Sequence, residues 1–494
     1  MKRIKITILL CIAASMNYAQ NEDDVLRYTQ TYFGGSARNI SMAGTMAGLG
    51  GDFSAVQSNP AALARVKMNT VSFTPILEAT SMASDFYGSN SRTSAVVAKI
   101  GSASYIRAYS LDPKRFNNWV NVQLGVGYER VGSFTFNNEY IGTADSSILH
   151  SFANEAAGTP NGDIYIAHPF RSALAWDVFA LDPDTSITSY VPTFANGAVQ
   201  HRRITEQKGG MGEFNFTLSG NYANKIYVGG AFKATRAKFE EVFFHDETYD
   251  TSGYLNSSRY QGDLIIKGWG YGARLGVMYT PQENIRLGLS LQTPTFFKFQ
   301  DIWSNTMSAN TDDPPPFNEK AVAPENVPNG KFDYRIRTPL RLNVNGGYIY
   351  KDKGAISAEL EFVDYGNGRL SNISFSEAPA DYNAANDQVD NIYSPVLNFK
   401  LGVEARLTQG TYFRTGFALY PSPYKPDKGN ERFSTQFYTT GFGFNIGEFF
   451  VDLGYSLRAT RNVQYSYDPT IHGSKVTYRY LDSRVALTLG LRLE

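Results

Sequence analysis

From about residue 70 onward the chain repeats one pattern, in which apolar residues alternate with polar ones and many of the polar positions carry full charges. Val120–Tyr128, Ile285–Gln292, Leu397–Leu407 and Val485–Leu493 all read this way. A period of two puts one residue class on each face of a β-strand. A soluble sandwich alternates too, with its apolar face turned inward, so two architectures stay open at this point. The charged face includes Arg274, Arg286, Arg335, Arg337, Arg341, Glu359, Glu361, Lys400, Glu404, Arg414 and Asp452. In a sandwich these residues are the solvated outside. In a membrane barrel they line a polar lumen, where Arg335 or Arg337 pairs across strands with Glu359 or Glu361.

Connection lengths favour the barrel, whose strands are joined by short turns at one end and longer loops at the other. Short links fall at Tyr222–Lys225, Pro281–Asn284, Lys351–Lys353, Thr408–Gly410 and Gly447–Glu448. Long ones are expected at Ser81–Thr93, Asn137–Lys208, His245–Arg259, Ser304–Gly330, Ser374–Asn391, Ser422–Arg432 and Asp468–Ser474. Strands placed between them number about fourteen, an even count that a closed single-chain barrel requires. The predicted fold is therefore all-β: a transmembrane antiparallel β-barrel from residue 70 to 494, its largest loop at 137–208. The 32 Tyr and 33 Phe supply two interfacial girdles, with Tyr279, Tyr348, Tyr350, Phe362, Tyr420 and Tyr455 at expected strand ends.

The beginning of the chain reads as an export signal, residues 1–20: Lys2, Arg3 and Lys5, then the apolar run Ile6–Met16, then Asn17-Tyr18-Ala19 before Gln20. Cys11, the only cysteine, lies within it, so the mature chain has no thiol for a disulfide or a thiolate metal site. Basic and acidic residues balance at 46 each, which argues against a nucleic-acid partner. No later run of about 18 apolar residues offers a membrane helix.

Residues 21–69 remain, and they contain Gly48-Leu-Gly-Gly-Asp-Phe53. A phosphate loop needs a Lys-Ser/Thr pair after its last glycine, and Asp52-Phe53 stands there instead. Bend-forming glycines mixed with Met42, Met46, Leu49, Phe53, Val56 and Leu63 suit a compact hatch inside the lumen. The order Gly35-Ser-Ala-Arg38, Gly44, Asp52 and Asn59-Pro60-Ala61 resembles the N-terminal hatch of the outer-membrane long-chain fatty-acid and hydrocarbon transporters of the FadL type. Gly272–Pro281, Arg337-Thr-Pro339 with Phe362–Tyr365, and Arg414-Thr-Gly416 with Tyr420–Pro423 are similar to later strands of that family.

The resemblance implies a monomer in the outer membrane of a Gram-negative type cell. There it captures a hydrophobic small molecule at the surface, admits it to the plugged barrel and releases it sideways toward membrane lipid, down its gradient. Capture is expected on a helix starting near Pro169 and presenting Phe170, Leu174, Trp176, Val178 and Phe179, although such a helix equally suits packing on other loops. Sideways release needs broken strand pairing. The parity slip at Arg130, Val131 and Gly132 predicts a bulge there, with a plain register irregularity as the alternative. Arg335, Arg337, Arg341 and Lys400 are candidates to meet an acidic head group, or else simply pair with wall acids.

No catalytic residue, metal ligand set or cofactor is singled out. The histidines (His150, His168, His201, His245, His472) form no His-Glu-x-x-His motif, and Gly-x-Ser-x-Gly is absent. The competing reading is a barrel of the same fold that acts as a secretion-system or haem-uptake scaffold.

Overall fold

Backbone pairing in the computed structural model, which describes residues 21–493 except 185, 196, 250–252, 374–380 and 427–432, closes the sheet on itself. The expected leader at 1–20 and parts of the expected links at 374–391 and 422–432 lie outside the described residues. Fourteen wall strands follow one another. They are β1 (Asn69–Phe86), β2 (Ser89–Ser110), β3 (Trp119–Ser133, resuming as Phe136–Ala144), β4 (Val199–Tyr222), β5 (Ile226–Thr248), β6 (Leu255–Gln282) and β7 (Ile285–Gln292 and Phe296–Thr311). Then come β8 (Asn329–Arg337 and Arg341–Tyr350), β9 (Gly354–Asp364, resuming as Arg369–Asn372), β10 (Pro395–Thr408), β11 (Thr411–Tyr420), β12 (Thr435–Ile446), β13 (Phe449–Tyr465) and β14 (Lys475–Leu493). The last strand pairs with the first, from Asn69↔Leu493 to Asp85↔Thr477, which leaves no sheet edge there.

The alternation resolves with its greasy side outward. Phe73, Leu77, Leu124, Phe216, Leu275, Leu289, Val344, Leu397 and Leu487 are exposed on the outer face, while Glu213, Arg274, Glu359, Lys400, Arg414 and Asp452 are buried inside. Tyr279, Tyr348, Tyr350, Phe362 and Tyr455 also face outward, as girdle residues should. Tyr420 does not: it sits 2% exposed inside the lumen, packed on Phe437 and Tyr32.

Several expected long loops prove to be strand. Ser81–Thr93 is a hairpin whose turn is only Tyr87-Gly88, both at positive φ, and Asn137–Ala144, Val199–Lys208, His245–Thr248 and Ser304–Thr311 extend the wall. The 28 residues of β6 span roughly 90 Å of contour, far more than a tilted strand needs to cross an apolar band about 25 Å tall. Above that band the outer face meets water while inward residues such as Tyr260 and Met307 pack against the long loop, so the sequence alternation changes while ladder pairing continues.

Residues 21–68 lie within the ring of strands. They form helices α1 (Glu22–Thr29) and α2 (Ala37–Ser41) and three short 3₁₀ segments, at Met46–Gly48, Phe53–Gln57 and Pro60–Arg65. Asn21 caps α1, Ser36 caps α2, and Asp52 and Asn59 cap two of the 3₁₀ turns, each side chain accepting a backbone N–H. The segment is bonded to the wall around most of its circumference. Arg38 makes a bidentate pair with Glu404, the Ala37 N–H donates to Thr488 Oγ1, Ser58 Oγ to Glu359, Asn59 Nδ2 to the Val277 carbonyl, and Arg65 to Tyr227. Wall groups reach back: Gln123, Ser219, Arg286, Ser357 and Thr439 donate to the carbonyls of Val66, Pro60, Leu49, Thr45 and Ser41. Roughly ten such bonds at about 1 kcal/mol net each make unseating cost on the order of 10 kcal/mol.

Asn59-Pro60-Ala61 explains part of the wall's glycine content. A Cβ at Gly276 would lie 2.0 Å from Asn59 Oδ1, one at Gly229 would lie 2.6 Å from the Ala61 nitrogen, and one at Gly288 would lie 2.8 Å from Asn59 Nδ2. These three glycines form the seat of the motif. Replacing Gly276 by Val should therefore lift the hatch while β6 still pairs, because β-branched residues favour strands. The expected result is a folded barrel whose segment 21–68 becomes protease-sensitive and whose single-channel conductance rises; unchanged conductance and protection would refute this role for the glycine.

Candidate functional site

Two prolines decide what the upper lumen is made of. β7 breaks at Thr293-Pro294-Thr295 and β8 breaks directly opposite at Thr338-Pro339-Leu340, where neither proline can donate to a ladder. The two breaks are tied together: the Thr338 N–H donates to the Thr295 carbonyl at 3.0 Å, and the Thr295 N–H to Thr338 Oγ1 at 2.8 Å. Inward parity reverses across both. Below them Arg286, Ser290, Arg341 and Asn343 face the lumen; above them Phe297, Phe299, Tyr334 and Ile336 do.

This reversal corrects the expectation for Arg335 and Arg337. Both are exposed on the outside, opposite Lys298 and Phe296 of β7, and not in the lumen. Arg341 and Lys400 do face inward. Arg341 binds Glu361 at 2.8 Å and also donates to the Thr29 carbonyl; Lys400 binds Glu359 at 2.8 Å. The cross-strand pairs therefore exist with different cations from those expected.

Above this charged belt the lumen becomes a mainly apolar chamber, in which Asp301 is buried beside Tyr28 and Tyr334. Its wall comes from Met211, Phe239, Ile266, Phe297, Phe299, Tyr334, Ile336 and Val363, closed by Leu370, Val389 and Tyr393. Val389 belongs to a loop helix at Asn383–Ile392. Into this chamber α1 inserts Val25 and Tyr28, both essentially unexposed, with the Tyr28 ring 4.1 Å from that of Phe299. The helix's charged groups pair with each other: Arg27 bonds Asp24, itself buried, and lies over the Phe239 ring at 4.1 Å.

The chamber reaches the wall at β3. Arg130 pairs with Gly212 and Gly132 with Met211, so Val131 is the extra residue of a bulge, and its side chain is buried among the chamber residues. On the other side of β3 the ladder to β2 runs from Ser110↔Asn121 only as far as Ser102↔Glu129. Among the described residues no ladder pair joins these strands above that point. Side chains and the hatch bridge the interval instead. Lys99 Nζ donates to Glu78, Ser133 and Thr135, Arg130 Nε to the Ile100 carbonyl at 3.2 Å, and the Tyr32 N–H to the Val131 carbonyl at 3.2 Å. Gly34 lies so close that a Cβ there would be 2.2 Å from the Arg130 carbonyl oxygen.

The five residues expected to capture ligand do not form one surface. The long loop folds as α3 (Ile148–Ala156), α4 (Ile164–Ala167) and α5 (Ser172–Asp177), the last starting three residues after Pro169. Leu174 and Val178 are fully buried in the loop's own core with Leu149 and Phe152, because so short a helix gains stability only by covering its apolar face. Trp176 packs edge-on to Tyr190, Phe170 lies on Trp303 of the wall, and Phe179 alone is more than half exposed, beneath Lys320. Sequence reasoning missed Tyr28, Phe297, Phe299, Tyr334 and Ile336; the Thr-Pro pairs at 293–294 and 338–339 were the signal that parity changes there.

No protein-family model matches the chain, and no curated protein matches it. Among solved structures, the toluene transporter TodX of Pseudomonas putida aligns with a TM-score of 0.54 at 14% identity, covering 94% of this chain and 99% of TodX. A FadL homologue of Pseudomonas aeruginosa gives 0.54 at 10% identity, covering 94% and 100%. At such identities the likeness establishes the fold, a FadL-type barrel. Within it, Tyr28 should be the residue that holds α1 in the chamber. Tyr28→Ala removes a buried ring worth on the order of 3 kcal/mol. Amides of residues 22–29 should then exchange faster while the wall strands keep their protection; equal exchange in the two proteins would show that α1 is held by other contacts.

Proposed function

We propose that the protein carries hydrophobic small molecules, long-chain fatty acids or similar, across the outer membrane by passive diffusion. The observation that carries this reading is the parity reversal at Pro294 and Pro339, which lines an otherwise charged lumen with aromatic and aliphatic side chains. A water-filled pore has no use for such a lining, whereas each CH₂ of a ligand transferred into it gains about 0.8 kcal/mol. An amphiphile that crosses a polysaccharide-coated leaflet slowly is thereby concentrated beneath the loops.

The way onward is chosen by relative cost. Straight descent requires breaking the hatch's bonds to the wall. Sideways movement beside Val131 meets strands that carry no ladder bonds to one another above Ser102 and Glu129. We assign release to that interval, into the lipid outside, with Asn59-Pro60-Ala61 staying on its glycine seat. Because Val25 and Tyr28 fill the chamber, α1 has to yield when a ligand enters. Arg341 and Lys400 are the cations below the chamber that a carboxylate head group would approach, in competition with Glu361 and Glu359. The leader at 1–20 and a monomeric state belong to the same proposal.

A disulfide tests the movement of α1. A Cβ at Gly368 would stand 3.8 Å from Val25 Cβ, the separation a disulfide prefers, and the mature chain has no other cysteine. The doubly substituted protein, Val25→Cys with Gly368→Cys, should lose uptake of a radiolabelled fatty acid when oxidised and regain it on reduction. Uptake that is indifferent to the disulfide would remove the chamber from the path. Deletion of Val131 should restore two-for-two pairing with β4 and lower uptake at least tenfold, about 1.4 kcal/mol of barrier, with the folded barrel retained on unheated gels. Normal uptake by that variant would reject release at β3.

A further inference from the structure

At the outer end of the barrel a second polar cluster lies away from the chamber. His201 of β4 stands directly opposite Glu247 of β5 in the ladder, and His245 precedes Glu247 by two residues on the same strand face. All three side chains are fully buried. His201 Nδ1 is 3.1 Å from Glu247 Oε1, and His245 Nε2 is 3.0 Å from the same oxygen.

The hydrogen bond on the far side of His201 settles its tautomer. Nε2 lies 2.9 Å from the Ser146 carbonyl oxygen, which only accepts, so Nε2 carries the proton and Nδ1 of the neutral ring presents a lone pair. In the neutral ring that lone pair faces a carboxylate oxygen at 3.1 Å, which is repulsive unless a positive charge, a metal ion or a second ring proton, lies between them; His245 Nε2 reaches the same oxygen at hydrogen-bond distance, while its Nδ1 has no partner. Donor atoms around a tetrahedral ion at about 2.0–2.1 Å are separated by roughly 3.3 Å, close to the 3.1 and 3.0 Å between each imidazole and the carboxylate, and all three donor atoms lie within 4.8 Å of one another. Glu247 is held in place by bonds that leave its direction fixed: Ile148 N–H donates to Oε1 at 2.8 Å, and Tyr249 OH and Ser147 Oγ donate to Oε2.

We propose that His201, His245 and Glu247 bind a divalent transition-metal ion of the zinc class. Two imidazoles and one carboxylate suit such an ion and do not suit calcium or magnesium, which prefer all-oxygen shells. The ion fastens the start of the long loop, through Ser146, Ser147 and Ile148, to the β4–β5 hairpin, and so fixes the cap over the barrel mouth. This site is independent of what the barrel transports.

The test uses the full chain, exported with a histidine-free affinity tag in zinc-supplemented medium and purified in detergent without chelator. Elemental analysis should find about one zinc per chain in the wild type and less than about a tenth in His201→Gln and in Glu247→Gln. Growth with cobalt in place of zinc should give the wild type the visible bands of four-coordinate cobalt, a readout that does not depend on any variant folding. Wild-type protein that is free of metal after both treatments overturns the proposal. Metal retained at full stoichiometry by both folded variants overturns it equally.

Discussion

Lipid offers no hydrogen bonds, and this single constraint shapes the wall. Every backbone N–H and C=O between the girdles must find a partner in the neighbouring strand, since each one left unpaired in hydrocarbon costs several kcal/mol. Pairing of β1 with β14 satisfies that demand at the seam. The lapse between β2 and β3 then stands out as the place where the wall departs from its own rule. Lys99, Arg130 and Tyr32 compensate there with side-chain and hatch bonds, which can part and re-form without unzipping a strand.

Inside the wall the same physics operates with charge. Glu404 receives both Arg38 of the hatch and Arg414 of the adjacent strand, and Glu359 receives both Ser58 of the hatch and Lys400. A buried charge left without its partner is costly, so these shared carboxylates couple the position of the hatch to the integrity of the lumen. Glycine does the complementary job. Where Gly229, Gly276 and Gly288 omit a side chain, the Asn59-Pro60-Ala61 backbone comes into direct contact with the wall. Residues 37–66 are thus bonded to the wall at many points, whereas α1 is held chiefly by apolar contacts, with Arg341 and Tyr393 donating to the carbonyls of Thr29 and Glu22.

The chamber, the bulge and the outer cluster occupy successive levels of one structure. Val131 belongs to both the bulge and the chamber, so the apolar cluster is continuous with the interrupted strand. Higher up, Glu247 ties the long loop to the β4–β5 hairpin. That attachment leaves α3 and α5 packed on each other as a cap, with Leu174 and Val178 consumed in holding it together.

Alternation with charge on one face, together with the connection lengths, sufficed to read the barrel, its strand number and its outward greasy surface, because a period of two is local and the content of each face reports its solvent. The slip at Val131 was legible for the same reason. The inward turn of Tyr420 was legible too, since it shares the parity of Arg414 six residues earlier in the same strand. Three things were not. The sequence could not tell that Arg335 and Arg337 point outward, that Leu174 and Val178 are buried, or that His201 meets His245 and Glu247. Each depends on a neighbour distant in the chain: the paired breaks at Pro294 and Pro339, the packing of the long loop, and the β4–β5 register. Local pattern determines which residues share a face; only closure of the sheet decides what that face meets.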